Sequence, residues 1–167
     1  MDVSFQSFLM TGKFGELAIG DSKPFVISKL GIPTWWEGMG TWNHEQSNVW
    51  AYGGAGVVFD RGGKTISKIE LVFNHLSTDK NLQLSGGINV TDLAFNSDTT
   101  LDQFKEHLAS NGVAFIQDTS DYGETLIGIP GGSVAAFREK VDYERSIALE
   151  RRIASEEVFL ESVRIEL

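Results

Sequence analysis

Between Asn48 and Phe73 two glycine-bearing turns, Gly53-Gly54 and Asp60-Arg61-Gly62-Gly63-Lys64, separate three short runs of β-branched and aromatic residues. That punctuation predicts a three-stranded antiparallel meander. Its last run alternates, with Ile69, Leu71 and Phe73 on one side and Lys68, Glu70 and Val72 on the other. One face is therefore built for burial, and a meander needs a helix to cover it.

The preceding residues supply that cover. Phe5, Phe8 and Leu9 have the spacing of a short amphipathic helix that stops at Thr11-Gly12. Asp21 or Ser22 can cap a second helix with Pro24 in its first turn and Val26 and Leu30 on one face, ended by Gly31 and Pro33. Residues 34–47 read as a loop or ragged hairpin carrying Trp35, Trp36 and Trp42, and Asn74 to Gly87 reads as a polar connection or edge hairpin.

The second half repeats this plan. Asp98-Thr99 can cap a helix with Leu101, Phe104 and Leu108 as its stripe and Asn111-Gly112 as its stop. Phe104, Leu108, Gly131 and Phe137 each fall 78 positions after Val26, Leu30, Gly53 and Phe59, and Arg164-Ile-Glu-Leu167 echoes Lys68-Ile-Glu-Leu71 at an offset of 96. The difference of 18 residues is filled by a stretch rich in Glu, Arg, Ala and Ile, which predicts an inserted helix near 142–157. The expectation is an α+β tandem repeat: a first helix-plus-meander unit with an N-terminal helix at 1–88 and a second at 89–167. The two sheets would join edge to edge as one curved sheet with the helices on one side, leaving the other side as a docking surface.

Charge and composition limit the function. With 14 basic and 23 acidic side chains the net charge is −9, which argues against a surface that neutralises phosphates and favours a basic partner. Residues 1–90 hold seven basic and eight acidic side chains and 91–167 hold seven and fifteen, so the excess acid lies in the second half. With no cysteine, disulfides, zinc–thiolate sites and thiol nucleophiles are excluded. The first residues lack a basic stretch followed by a long apolar core, and no segment has the length of a membrane span, so a soluble cytoplasmic chain is expected.

No chemistry-bearing motif is present. His44, His75 and His107 have no metal-ligand spacing, there is no Gly-x-Ser-x-Gly elbow, and Gly53-Gly54 and Gly131-Gly132 lie between strands rather than before a helix. The expectation is a binding protein, not an enzyme, with no cofactor and no metal.

The run Gly20-Asp-Ser-Lys-Pro-Phe-Val-Ile-Ser-Lys-Leu-Gly-Ile-Pro33, followed by Trp50-x-Tyr52 and a strand ending at Phe59, resembles the repeat unit of β-lactamase-inhibitor-protein-like folds. It also resembles small bacterial immunity proteins that guard toxin-producing cells. The resemblance implies a tandem sheet whose concave face and loops bind a target enzyme. The chain departs from the secreted inhibitor in having no cysteine pairs and no export signal, which leaves an intracellular inhibitor as the implied function.

Candidate partner-binding residues follow from exposure and chemistry. Trp35, Trp36 and Trp42, around Glu37-Gly38-Met39-Gly40, could anchor a partner, although tryptophans also fill cores. Trp50 and Tyr52 share a strand face, docking surface if it points away from the helix and core if toward it. Asp118, Asp121, Tyr122 and Glu124 form an acidic, aromatic turn suited to a basic toxin or enzyme, or a plain solvated loop. The function expected is toxin or enzyme inhibition by occlusion. The alternative is a protein-interaction or small-ligand module without a toxin partner.

Overall fold

The computed structural model describes residues 1–73, 84–139 and 158–166. Its described elements are β1 (Asp2–Ser4), α1 (Phe5–Thr11), α2 (Lys23–Leu30), β2 (Trp35–Trp36), a 3-10 turn (His44–Gln46), β3 (Val49–Tyr52), β4 (Ala55–Phe59) and β5 (Ile66–Val72). These are followed by β6 (Asn89–Thr91), α3 (Leu101–Ser110), β7 (Ile116–Thr119), β8 (Thr125–Gly128), β9 (Val134–Glu139) and β10 (Val158–Glu166). The fold is α+β, and the predicted helix near 142–157 lies outside the described residues.

The meander forms as its glycine turns dictate, β3 to β4 to β5, and continues into an open eight-stranded sheet of order β2-β3-β4-β5-β10-β9-β8-β7. Every neighbouring pair in this sheet is antiparallel. At its centre Ile69 stands opposite Ile165, with Glu70 opposite Arg164 and Lys68 opposite Glu166. A separate parallel pair joins β1 to β6, with Val3 beside Val90. That pair is invisible to local pattern reading, because its strands are three residues long and lie 87 positions apart.

Strand alternation builds the core. Tyr52, Ala55, Leu71, Val163, Ala135 and Ile127 form one continuous cross-strand row, all at or below 1 % exposure. Neighbouring core positions on the meander hold Trp50, Val57 and Ile69, also buried. Aromatic edges knit this layer to the helices: Phe5 meets Phe73 and Phe95, Phe95 meets Phe104, and Phe104 meets Phe137 at 5.2 Å between centroids. Such edge-to-face contacts add to the area that the rings bury.

Capping fixes the helices. The Ser22 side chain accepts from Phe25 N with Pro24 in the first turn, as the sequence predicts. In α3 the cap is Thr100, one residue after the predicted Asp98-Thr99, and Gln103 completes a reciprocal capping box. The Ser4 side chain caps α1, and the Asp92 carboxylate accepts from Phe5 N at 2.7 Å and Ser4 Oγ at 2.9 Å. The carbonyl of Leu9 in α1 in turn accepts from both Ser133 N and Ser133 Oγ, at 3.0 and 2.9 Å. Gly132 permits this approach, because a Cβ there would collide with the Leu9 and Met10 backbone.

Candidate docking face

Directly paired residues lie on the same side of a sheet, so register alone assigns the faces. One row crosses all eight strands on the side opposite the core residues: Trp35, Ala51, Gly56, Glu70, Arg164, Val134, Gly128 and Ile116. Its two ends are apolar and exposed, Trp35 at 49 % and Ile116 at 66 %, while its middle is half-buried. In the centre Glu70 Oε2 lies 2.9 Å from Lys68 Nζ, and Glu70 Oε1 lies 3.9 Å from Arg164 Nη1.

Gly56 and Gly128 sit in strand interiors of this row. Among the described residues neither is required by packing: a Cβ at Gly56 would meet Glu70 at 3.9 Å and one at Gly128 would meet Ile116 O at 3.8 Å, both ordinary contacts. Glycine weakens a strand interior and marks places where another backbone or ligand comes close. The face carries no side chain at these two positions, while Ala136 and Ser162 on the same side are buried.

The tryptophan segment stands at the β2 edge. Glu37 N donates to Val49 O, and Trp42 N and Thr41 N both donate to Gly38 O at 2.9 Å. Gly38 has φ +79°, and the Trp42 ring lies so close that a Cβ there would come within 2.7 Å of it. Trp36 is half-buried, donates Nε1–H to Trp42 O at 2.9 Å, and meets the His44 ring, which in turn packs on Trp50. The exposed apolar surface here comes from Trp35, Met39 and Trp42, with Glu37 exposed beside them.

Trp50 and Tyr52 resolve toward the core. Both are fully buried, with Trp50 Nε1 donating to His44 O and Tyr52 Oη to Gly31 O at 2.9 Å. Burial of its ring holds the Tyr52 hydroxyl well above the ordinary tyrosine range. Neither side chain is accessible to a partner, so both leave the candidate surface. Lys23 lies over the rings of Trp50 and Phe59, 5.6 and 5.0 Å from their centroids, and donates Nζ to Glu45 O. Desolvation lowers its pKa, opposed in part by Asp60 and Glu45.

The acidic turn stands at the opposite edge, on β7 and the β7–β8 turn. Asp118, Asp121 and Tyr122 are exposed, Tyr122 at 90 %. Asp118 lies on the outer face, in a row with Leu126, Ala136, Ser162 and Val72. Glu124 is buried and its carboxylate is held by Arg138 Nη2 at 2.5 Å, so it serves the turn rather than the surface. The tryptophan and acidic groups therefore do not gather at one spot. They flank a single face whose width, at seven strand spacings of about 4.8 Å, is roughly 34 Å.

Sequence reasoning did not name as site residues Gly56, Glu70, Arg164, Val134 and Gly128 in the middle of the row, nor Ile116 at its end. The available signal was a glycine inside each of two strand patterns. Among the described residues no three His, Asp or Glu side chains gather as metal ligands, and no helix is long and apolar enough to cross a membrane. Compared with protein-family models, curated proteins and solved structures, the chain matches none.

Proposed function

We propose that this protein is an inhibitor of the immunity type, which blocks a basic toxin or enzyme by laying its outer sheet face over the partner's working surface. The observation that carries this reading is the eight-strand row itself, bare at Gly56 and Gly128 and ended by exposed Trp35 and Ile116. A face this wide suits a protein surface rather than a small molecule. Trp35, Met39 and Trp42 anchor the partner at one edge, and Asp118 and Asp121 steer basic side chains at the other. Inhibition is occlusion, with no bond made or broken, and it takes place in the cytoplasm.

The fold reading that accompanies this is a tandem duplication with its helices on the core side of the sheet. Support comes from the strand order, which runs inward from each edge as β2-β3-β4-β5 and β7-β8-β9-β10. It comes also from the pairing of Lys68-Ile-Glu with Arg164-Ile-Glu across the centre.

Co-purification of the tagged full chain with the product of the adjacent gene, at low and high salt, tests the function. A complex that weakens as salt rises is expected. Failure to form a complex at either salt would overturn the reading.

A further inference from the structure

The two edges of the sheet are finished differently. At β2 the carbonyl of Trp36 accepts from Met39 N at 3.1 Å, so the tryptophan segment folds back on its own edge. At β7 all four residues, Ile116–Thr119, are exposed, and the register with β8 runs without a bulge. Nor does β7 hold the proline or lysine that blunts many edge strands. Ser120 N donates to Glu124 O at 2.9 Å, so antiparallel alternation turns the backbone N–H and C=O of Thr119 and Gln117 away from β8. The Thr119 N–H agrees with this direction, since it donates to Asp118 Oδ1 at 2.8 Å. Gln117 presents both its groups on the open edge, and among the described residues no strand other than β8 pairs with β7.

We infer that β7 takes an extended segment of a basic protein as a ninth, antiparallel strand. An unpaired strand edge is a template for main-chain pairing, and alternate side chains then supply selectivity. With Gln117 in the hydrogen-bonded pair, the pleat puts the partner's two flanking side chains on the outer face, one opposite Asp118 and one opposite Ile116. Asp118 is exposed and selects Lys or Arg, while Ile116, 66 % exposed, selects an apolar residue. Asp121, exposed in the following turn, adds charge of the same sign. On the core side Lys105 of α3 is already engaged, with Gln117 Oε1 at 3.3 Å and Asp102 Oδ1 at 4.0 Å. The segment that fits reads Lys or Arg, any residue, then Val or Ile. Two copies of β7 in the same register would set Asp118 against Ile116 and supply no base, so a second copy is not the occupant.

This pairing deepens the inhibitor reading and rests on it for the identity of the partner, but a free peptide tests the edge alone. Acetylated and amidated Thr-Thr-Lys-Thr-Val-Thr-Thr is titrated into the full chain at low salt, with backbone amide NMR shifts as the readout. Saturable shifts centred on Gln117 are expected, with an affinity that falls as salt rises. N-methylation of the central Thr, which stands opposite Gln117, removes a ladder donor at unchanged charge and is expected to weaken binding about tenfold. The peptide with Glu in place of Lys is expected to lose at least as much. Gln117→Pro deletes the outward N–H, which β8 does not use, and is expected to abolish binding while its circular dichroism stays native. A peptide that does not bind, that binds equally well when N-methylated, or that shifts only residues away from β7 overturns the proposal. If the peptide fails while the adjacent gene's product still co-purifies, the inhibitor reading stands without strand addition. If the peptide binds and that complex does not form, strand addition stands without the inhibitor reading.

Discussion

Ile69 and Ile165 stand directly opposite one another at the centre of the sheet, and the two strands carry Lys-Ile-Glu and Arg-Ile-Glu around them. The antiparallel register sets each acid opposite a base of the other strand, Glu70 against Arg164 and Glu166 against Lys68. Opposite charges across a pair stabilise it, whereas a one-residue slip would turn the apolar set outward. Ile69 is fully buried. Ile69→Ala is expected to lower unfolding free energy in urea by about 2–5 kcal/mol, and a loss below about 1 kcal/mol would show that this seam does not hold the sheet together.

The glycines separate structure from surface. Gly132→Ala drives a methyl group into the Leu9–Met10 backbone, and is expected to destabilise the chain by about 1–3 kcal/mol or more. Gly56→Ala and Gly128→Ala meet only ordinary contacts, and are expected to leave stability unchanged or raise it by about 0.5–1 kcal/mol. Thermal or urea unfolding of the three variants checks the contrast. Equal losses at all three positions would remove the reason for calling the outer glycines surface features.

The tryptophans divide in the same way. Trp50→Ala is expected to cost about 3–5 kcal/mol, because the ring is fully buried. Trp35→Ala and Trp42→Ala, at 49 % and 51 % exposure, are expected to stay within roughly 1 kcal/mol of wild type and to lose partner affinity instead. Urea titration paired with a binding assay distinguishes the two classes.

What the sequence disclosed depended on the range of the interaction that fixed it. The meander was legible because Gly53-Gly54 and Asp60 to Lys64 act over a few residues, and α2 because Ser22, Pro24 and Gly31 mark its ends locally. The alternation of β5 was legible down to Val72 on the outer face. The β1–β6 pair and the Asp92 carboxylate that caps α1 were not, since they join residues almost 90 positions apart. Whether Trp50 faced core or solvent turned on which side α2 approached, a tertiary fact. Glu124 looked like a surface acid because its partner, Arg138, lies 14 positions on, on the neighbouring strand β9.

Two side chains give pH dependence of known sign. The Asp60 carboxylate accepts from Lys64 N at 3.0 Å and Thr65 Oγ1 at 2.6 Å, and these bonds, led by the Lys64 amide, lower its pKa. A depressed folded-state pKa contributes stability that is present above the unfolded value and lost as pH falls through the folded one. Asp60→Asn is therefore expected to lose less stability than wild type when pH falls below the ordinary aspartate range. Identical acid profiles would contradict this.

For Lys23 the sign reverses. Desolvation lowers its pKa beneath the ordinary value of 10.5, so the folded chain releases the proton first and stability rises with pH between the folded and unfolded values. Lys23→Met removes this slope. Denaturation of both proteins across the alkaline range below the ordinary lysine value checks it, and parallel curves would contradict it.

The most direct test of the docking face is the affinity of the adjacent gene's product for wild type and for Gly128→Tyr. Wild type is expected to bind tightly and the variant to lose about tenfold or more in affinity, with native circular dichroism and unchanged urea stability in both. Equal affinity for the two proteins would show that the partner does not use the outer face of the sheet.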